Sequence, residues 1–117
     1  MKIDPGDSRI VYASLFGPGL FASQDGGATW QLLPAASPDQ RFSQNFVVDP
    51  SNAQRLLAAT QVGLFISNDR GLTWAATSIT DEVLDVDVDP TSSQIIYVTY
   101  GDGRIAQSSD GGATWTR

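Results

Sequence analysis

The chain has 117 residues, of which 41% are hydrophobic and 17% charged, with a net charge of −6 and neither cysteine nor histidine. That composition fits a globular chain. It excludes disulfides, thiolate chemistry, His-based triads and the usual zinc sites. The acidic balance argues against nucleic acid and anionic membrane surfaces as partners, and no apolar run approaches the roughly 20 residues of a membrane helix.

Met1-Lys2-Ile3 leads straight into the first structural unit, so no signal peptide is expected in this chain. Asp4-Pro5 ends a short strand, because proline cannot continue a ladder and the Asp side chain can bond its own turn. Ile10-Val11-Tyr12-Ala13 is a β-rich run, and Gly17-Pro18-Gly19 turns the chain. Leu20-Phe21-Ala22 is the third strand. The octet Ser23-Gln24-Asp25-Gly26-Gly27-Ala28-Thr29-Trp30 supplies the next turn, and its Thr-Trp opens a fourth strand.

Residues 35–43 read as a connecting loop containing Pro38. The pattern then repeats with Phe46-Val47-Val48, Asp49-Pro50, Leu56-Leu57-Ala58-Ala59, Leu64-Phe65-Ile66 and the octet Ser67–Trp74. It repeats again with Val86-Asp87-Val88, Asp89-Pro90, Ile95-Ile96-Tyr97-Val98, Ile105-Ala106 and the octet Ser108–Trp115. The octet aspartates lie 44 and 41 positions apart, and each follows its Asp-Pro by 21, 20 and 21 residues. Two markers holding register three times define a repeat of four strands, the size of a propeller blade. The expected blades are about 1–34, 44–78 and 83–117. No helix is expected, since no 3.6-residue periodicity is sustained.

All three octets match Ser-x-Asp-x-Gly-x-Thr-Trp, and the chain on these residues resembles the Asp-box (BNR) repeat family of β-propellers. The stretch Asp89-Pro90…Ile96-Tyr97-Val98…Gly103-Arg104-Ile105 is similar to the repeats of xyloglucan-degrading propeller hydrolases. It is also similar to sialidase-like proteins, sortilin-type receptors and photosystem II assembly factors. The resemblance implies an all-β chain of three four-stranded antiparallel blades, and an extracellular or periplasmic setting. It implies that the boxes sit on the outer part of each blade as structural pins: Asp25, Gly27, Thr29 and Trp30; Asp69, Gly71, Thr73 and Trp74; Asp110, Gly112, Thr114 and Trp115. In this reading the Asp side chains accept turn N–H groups, the glycines supply positive φ, and the tryptophans bury their rings between sheets.

A fold of this kind hosts many jobs. Sialidases need an arginine trio, and none of Arg9, Arg41, Arg55, Arg70, Arg104 and Arg117 stands in the family's Arg-Ile-Pro setting. Arg9 and Arg55 occupy similar places before the second strand, as repeat residues would. A glycosidase needs two carboxyls roughly 5–9.5 Å apart. Strand alternation in Asp81–Asp89 places Asp85, Asp87 and Asp89 on one side, with Leu84, Val86 and Val88 on the other. Asp85 and Asp87 are therefore the candidate acids, set against a plain solvated face. The position of Asp87 is Val47 and Lys2 in the other units, so the repeat itself demands no carboxylate there. Tyr100 and Asp102 at one hairpin tip, and Phe16 at the matching tip, are candidate ligand contacts, set against an aromatic that merely closes a turn. No metal site and no cofactor are expected.

Three blades cannot close a ring, since propellers use roughly four to eight. The open ends should expose a Trp-rich face on both terminal blades. The missing blades belong either to a longer chain or to a second copy, two copies giving a six-bladed homodimer. The functional expectation is a non-catalytic scaffolding or binding module with a glycan or protein partner. The alternatives are part of a xyloglucanase-like or sialidase-like glycoside hydrolase, and an assembly factor like those of photosystem II.

Overall fold

The structure is a computed structural model and describes residues 2–15, 19–33 and 43–116. Eleven strands form three antiparallel sheets with no helix among the described residues. The first sheet orders β1 (Lys2–Asp4), β2 (Asp7–Leu15), β3 (Gly19–Ser23) and β4 (Gln31–Leu32). The second orders β5 (Ser43–Val48), β6 (Leu56–Thr60), β7 (Gly63–Ser67) and β8 (Ala75–Ala76). The third orders β9 (Val83–Val88), β10 (Ile96–Tyr100) and β11 (Ile105–Ser108). Its fourth position is held by a single bridge, in which Gln107 and Thr116 exchange backbone bonds of 2.7 and 2.8 Å. Each fourth strand begins after the tryptophan, two residues later than a strand opened by the Thr of Thr-Trp.

The sheets stack face to face through two apolar seams. Ile10, Tyr12 and Leu33 of the first blade meet Phe46, Leu56 and Ala58 of the second. Leu57, Ala59 and Leu64 of the second blade meet Val86, Val88, Ile96 and Val98 of the third. Leu56 and Leu57 are neighbours on β6 yet serve different seams, because successive side chains leave a strand on opposite faces. Register makes the units superimposable, since Lys2–Tyr12, Val47–Leu57 and Asp87–Tyr97 are corresponding pairs.

The octets fold alike. In the first, the Ser23 hydroxyl donates to Asp25 and accepts from Gly27 N–H, while Asp25 accepts from Thr29 N–H at 2.8 Å and from the Thr29 hydroxyl. The same set recurs around Asp69 and Asp110. Each turn is tied to its own sheet by a 2.9 Å backbone bond, from Gly26 to Arg9, Arg70 to Gln54 and Gly111 to Gln94. Gly27, Gly71 and Gly112 have φ of 97°, 87° and 99°, as the turn requires. Arg70 adopts φ 61° where its counterparts are Gly26 and Gly111, an uncommon setting for a residue with a Cβ.

The tryptophans depart from expectation. Trp74 and Trp115 are half-buried against the two seams, whereas Trp30 is 41% exposed. The open faces are also not Trp-rich at both ends. The first blade exposes Ile3, Trp30 and Leu32, and the third exposes Leu84, Tyr97 and Ile105. Trp115 packs inward because each box tryptophan covers the seam toward the preceding blade, and the third blade has one.

Candidate functional site

Asp85 and Asp87 both lie on β9, the edge strand of the third sheet, opposite Thr99 and Tyr97. Their side chains are exposed, and Val86 and Val88 are buried. Leu84 breaks the expected alternation. A β-bulge between Thr99 and Tyr100 pairs Val83 with Tyr100, so Val83 fills the core and Leu84 faces solvent.

Each acid is held locally. Asp85 Oδ1 accepts from Val86 N–H at 2.9 Å and from the Asn45 amide at 2.5 Å, joining β9 to β5 across the second seam. Asp87 Oδ1 accepts from Val88 N–H at 3.1 Å. Asp87 also borders a hollow of about 430 Å³ with Ile3, Val47 and Val48, where the inner strands converge. Asp89 belongs to its turn: the Thr91 hydroxyl, then the Thr91 N–H, holds its carboxyl below the ordinary value. Chemically, Asp85 and Asp87 present two hydrogen-bond acceptors on one strand face. Among the described residues no group of three or more His, Cys, Asp or Glu could hold a metal ion.

The hairpin tip is different from its sequence reading. Tyr100 is 7% exposed and packs in the second seam. The Arg104 guanidinium lies 4.5 Å from its ring centroid and pairs with Asp102 at 2.6 Å and Asp81 at 2.9 Å. Those two carboxylates, Asp102 first, raise the Arg104 pKa above its ordinary value. Tyr100 is thus no exposed aromatic platform, while Asp102 is exposed and bonded to Arg104. Phe16 lies outside the described residues.

Arg9 and Arg55 are not equivalent. Arg9 matches Gln54 and Gln94, and Arg55 matches Ile10 and Ile95. Arg9 lies within β2 and pairs with Asp7 in solvent at 3.0 Å. Arg55 is buried and pairs with Asp49 at 3.1 Å. It also donates to the carbonyls of Ser93 at 2.9 Å and Gly111 at 2.7 Å, latching the second blade to the third. The signal was available: a charged residue at a position that is isoleucine in both other units.

Comparison with known proteins agrees with this architecture. The BNR/Asp-box repeat family model matches residues 21–32. A Paenibacillus xyloglucanase is 35% identical over 99% of this chain, which spans 10% of that relative's length. The crystal structure of a GH74 enzyme from Niastella koreensis superposes with a TM-score of 0.74 at 28% identity, covering 97% of this chain and 21% of that one. YCF48 from Cyanidioschyzon merolae superposes with a TM-score of 0.69 at 17% identity, covering 98% of this chain and 34% of that one.

Proposed function

For a chain that belongs to the Asp-box repeat β-propellers, we propose that its role is to supply three blades of a larger, non-catalytic binding propeller whose ligand is a glycan. The observation that carries the incompleteness is the pair of open apolar faces, with Ile3 and Leu32 at one end and Tyr97 and Ile105 at the other. Faces of that kind are covered in a folded propeller. The glycan is suggested by the 35% identical relative described as a xyloglucanase. Lack of catalysis is suggested by Asp85 and Asp87, which are exposed and spend acceptor capacity on backbone and Asn45 donors.

The remaining blades come from a longer polypeptide, as in the relatives of which this chain spans only a part. A concentration-independent native mass equal to one such polypeptide is the expected result, and a stable two-fold dimer of three-bladed chains would replace this reading. Binding and turnover of xyloglucan should both be measured on the polypeptide that carries this chain. Asp87→Asn is expected to leave binding unchanged. The same similarity favours a second reading, in which the chain belongs to a xyloglucan hydrolase. Turnover abolished by Asp87→Asn would establish that reading and overturn the first.

A further inference from the structure

The first seam buries two polar oxygens without a hydrogen-bond partner, whereas the second seam leaves only the Trp115 Nε1–H unpartnered among the described residues. Asp4 and Tyr12 are 3% and 1% exposed. Asp4 Oδ2 and Tyr12 Oη nevertheless have no hydrogen-bond partner among the described residues. Asp4 Oδ1 is occupied, accepting from Gly6 and Asp7 N–H at 2.7 and 3.1 Å. The nearest cation is Arg70 of the second blade, whose Nη2 stands 4.0 Å from Asp4 Oδ2. That gap is too long for a direct bond and suits one bridging oxygen. Tyr12 and Arg70 also line a cavity of about 550 Å³ at this seam, with Asp4 behind them rather than in its lining.

The second seam shows what is missing. Its counterpart of Asp4 is Asp49, and Asp49 Oδ2 takes Arg55 Nη1 directly at 3.1 Å. The first blade keeps the acid but carries Ile10 in place of that arginine, and it has Tyr12 where the second has Leu57. The acid acts on the phenol. Burial first, and the Asp4 charge next, push the Tyr12 pKa above its ordinary value, against a smaller opposing pull from Arg70. Buried polar groups of this kind are met by protein or by ordered water.

We propose that the first seam is a binding site for a single hydroxyl oxygen, which accepts from Tyr12 Oη–H and Arg70 Nη2–H and donates to Asp4 Oδ2. An anion is disfavoured by the Asp4 carboxylate, and a cation by the Arg70 guanidinium. A neutral group that both donates and accepts answers all three partners. Either a resident water or one hydroxyl of a sugar entering the cavity has this chemistry. Neither Asp85 nor Asp87 takes part in this site, so it is independent of any catalysis at β9.

High-resolution crystal structures of the polypeptide carrying this chain, grown with and without glucose, test it. The expected result is an oxygen within about 2.6–3.2 Å of Asp4 Oδ2, Tyr12 Oη and Arg70 Nη2. An isolated peak in both crystals identifies resident water, and density continuous with a pyranose ring in glucose identifies a ligand hydroxyl. Ile10→Arg, copying Arg55, should expel the oxygen and place the guanidinium on Asp4. If that variant does not fold, Tyr12→Phe should lower the occupancy of the oxygen. An empty site, a direct Tyr12–Asp4 bond, or full occupancy retained in Tyr12→Phe would overturn the proposal.

Discussion

Strands β6 and β10 occupy the same place in successive blades and have opposite fates. All five residues of β6 are buried, whereas β10 alternates between buried and accessible. Leu57 is fully buried, and its counterpart Tyr97 is 44% exposed. Leu64 is fully buried, and its counterpart Ile105 is 61% exposed. The repeats encode similar residues at these positions, so the difference comes from neighbours. A blade of this kind has no one-sided core; it is stabilised by what stacks on it.

The largest way to break that contrast is to remove the latch that only the central blade carries. Arg55→Ala leaves Asp49 buried without its partner and should cost about 3–5 kcal/mol, read as a lowered denaturant midpoint. Next comes the paired test of the two faces. Leu57→Ala should cost about 2–5 kcal/mol through lost burial and a cavity. Tyr97→Ala should cost well under half as much while its face is uncovered, by the same unfolding measurement. Equal costs would mean that a further blade covers Tyr97 in the intact protein, which sharpens the proposal about missing blades.

Acid should act on all three blades alike. The Thr29 hydroxyl, then its N–H, and the Thr114 pair in the same order, lower the Asp25 and Asp110 carboxyls from 3.8 to about 2. Asp69 shifts the same way, with Thr73 as the main cause. A depressed folded-state pKa stabilises above the unfolded value and loses that stabilisation as pH falls through the folded one. The box contribution should therefore be complete above about pH 4 and fade toward pH 2. A pH series of melts on Asp110→Asn and the parent chain should converge across that window. The smallest effect is expected for Arg9→Ala, which removes only a solvent-exposed pair with Asp7 and should leave the denaturant midpoint at the parent chain's value in the same unfolding measurement.

The blades and their turns were legible because their causes are local. The Ser23, Asp25, Gly27 and Thr29 bonds span at most four residues, so an octet carries its own structure. What was hidden depends on distant partners. Arg55 reaches 38 residues to Ser93 and 56 to Gly111. The Asn45 amide meets Asp85 across 40 residues. The bulge that turned Leu84 outward is a property of two paired strands, and no single-strand alternation contains it. The accessible side of Asp85 and Asp87 was readable from that alternation, because it follows the regular part of β9.

The Arg55 latch also gives the repeats an order. Three near-copies of one unit could in principle be shuffled without loss, since every seam uses corresponding faces. The guanidinium, however, joins its own Asp-Pro turn to two carbonyls on the next blade, one of them in that blade's box. The second unit therefore carries an address for what must follow it, and the first, with Ile10 there, carries none. Placed last in the row, the second unit would exchange those two carbonyls for water at an open face and lose the latch. Succession along the chain is thus written in one side chain, while the shape of each unit is written in its box.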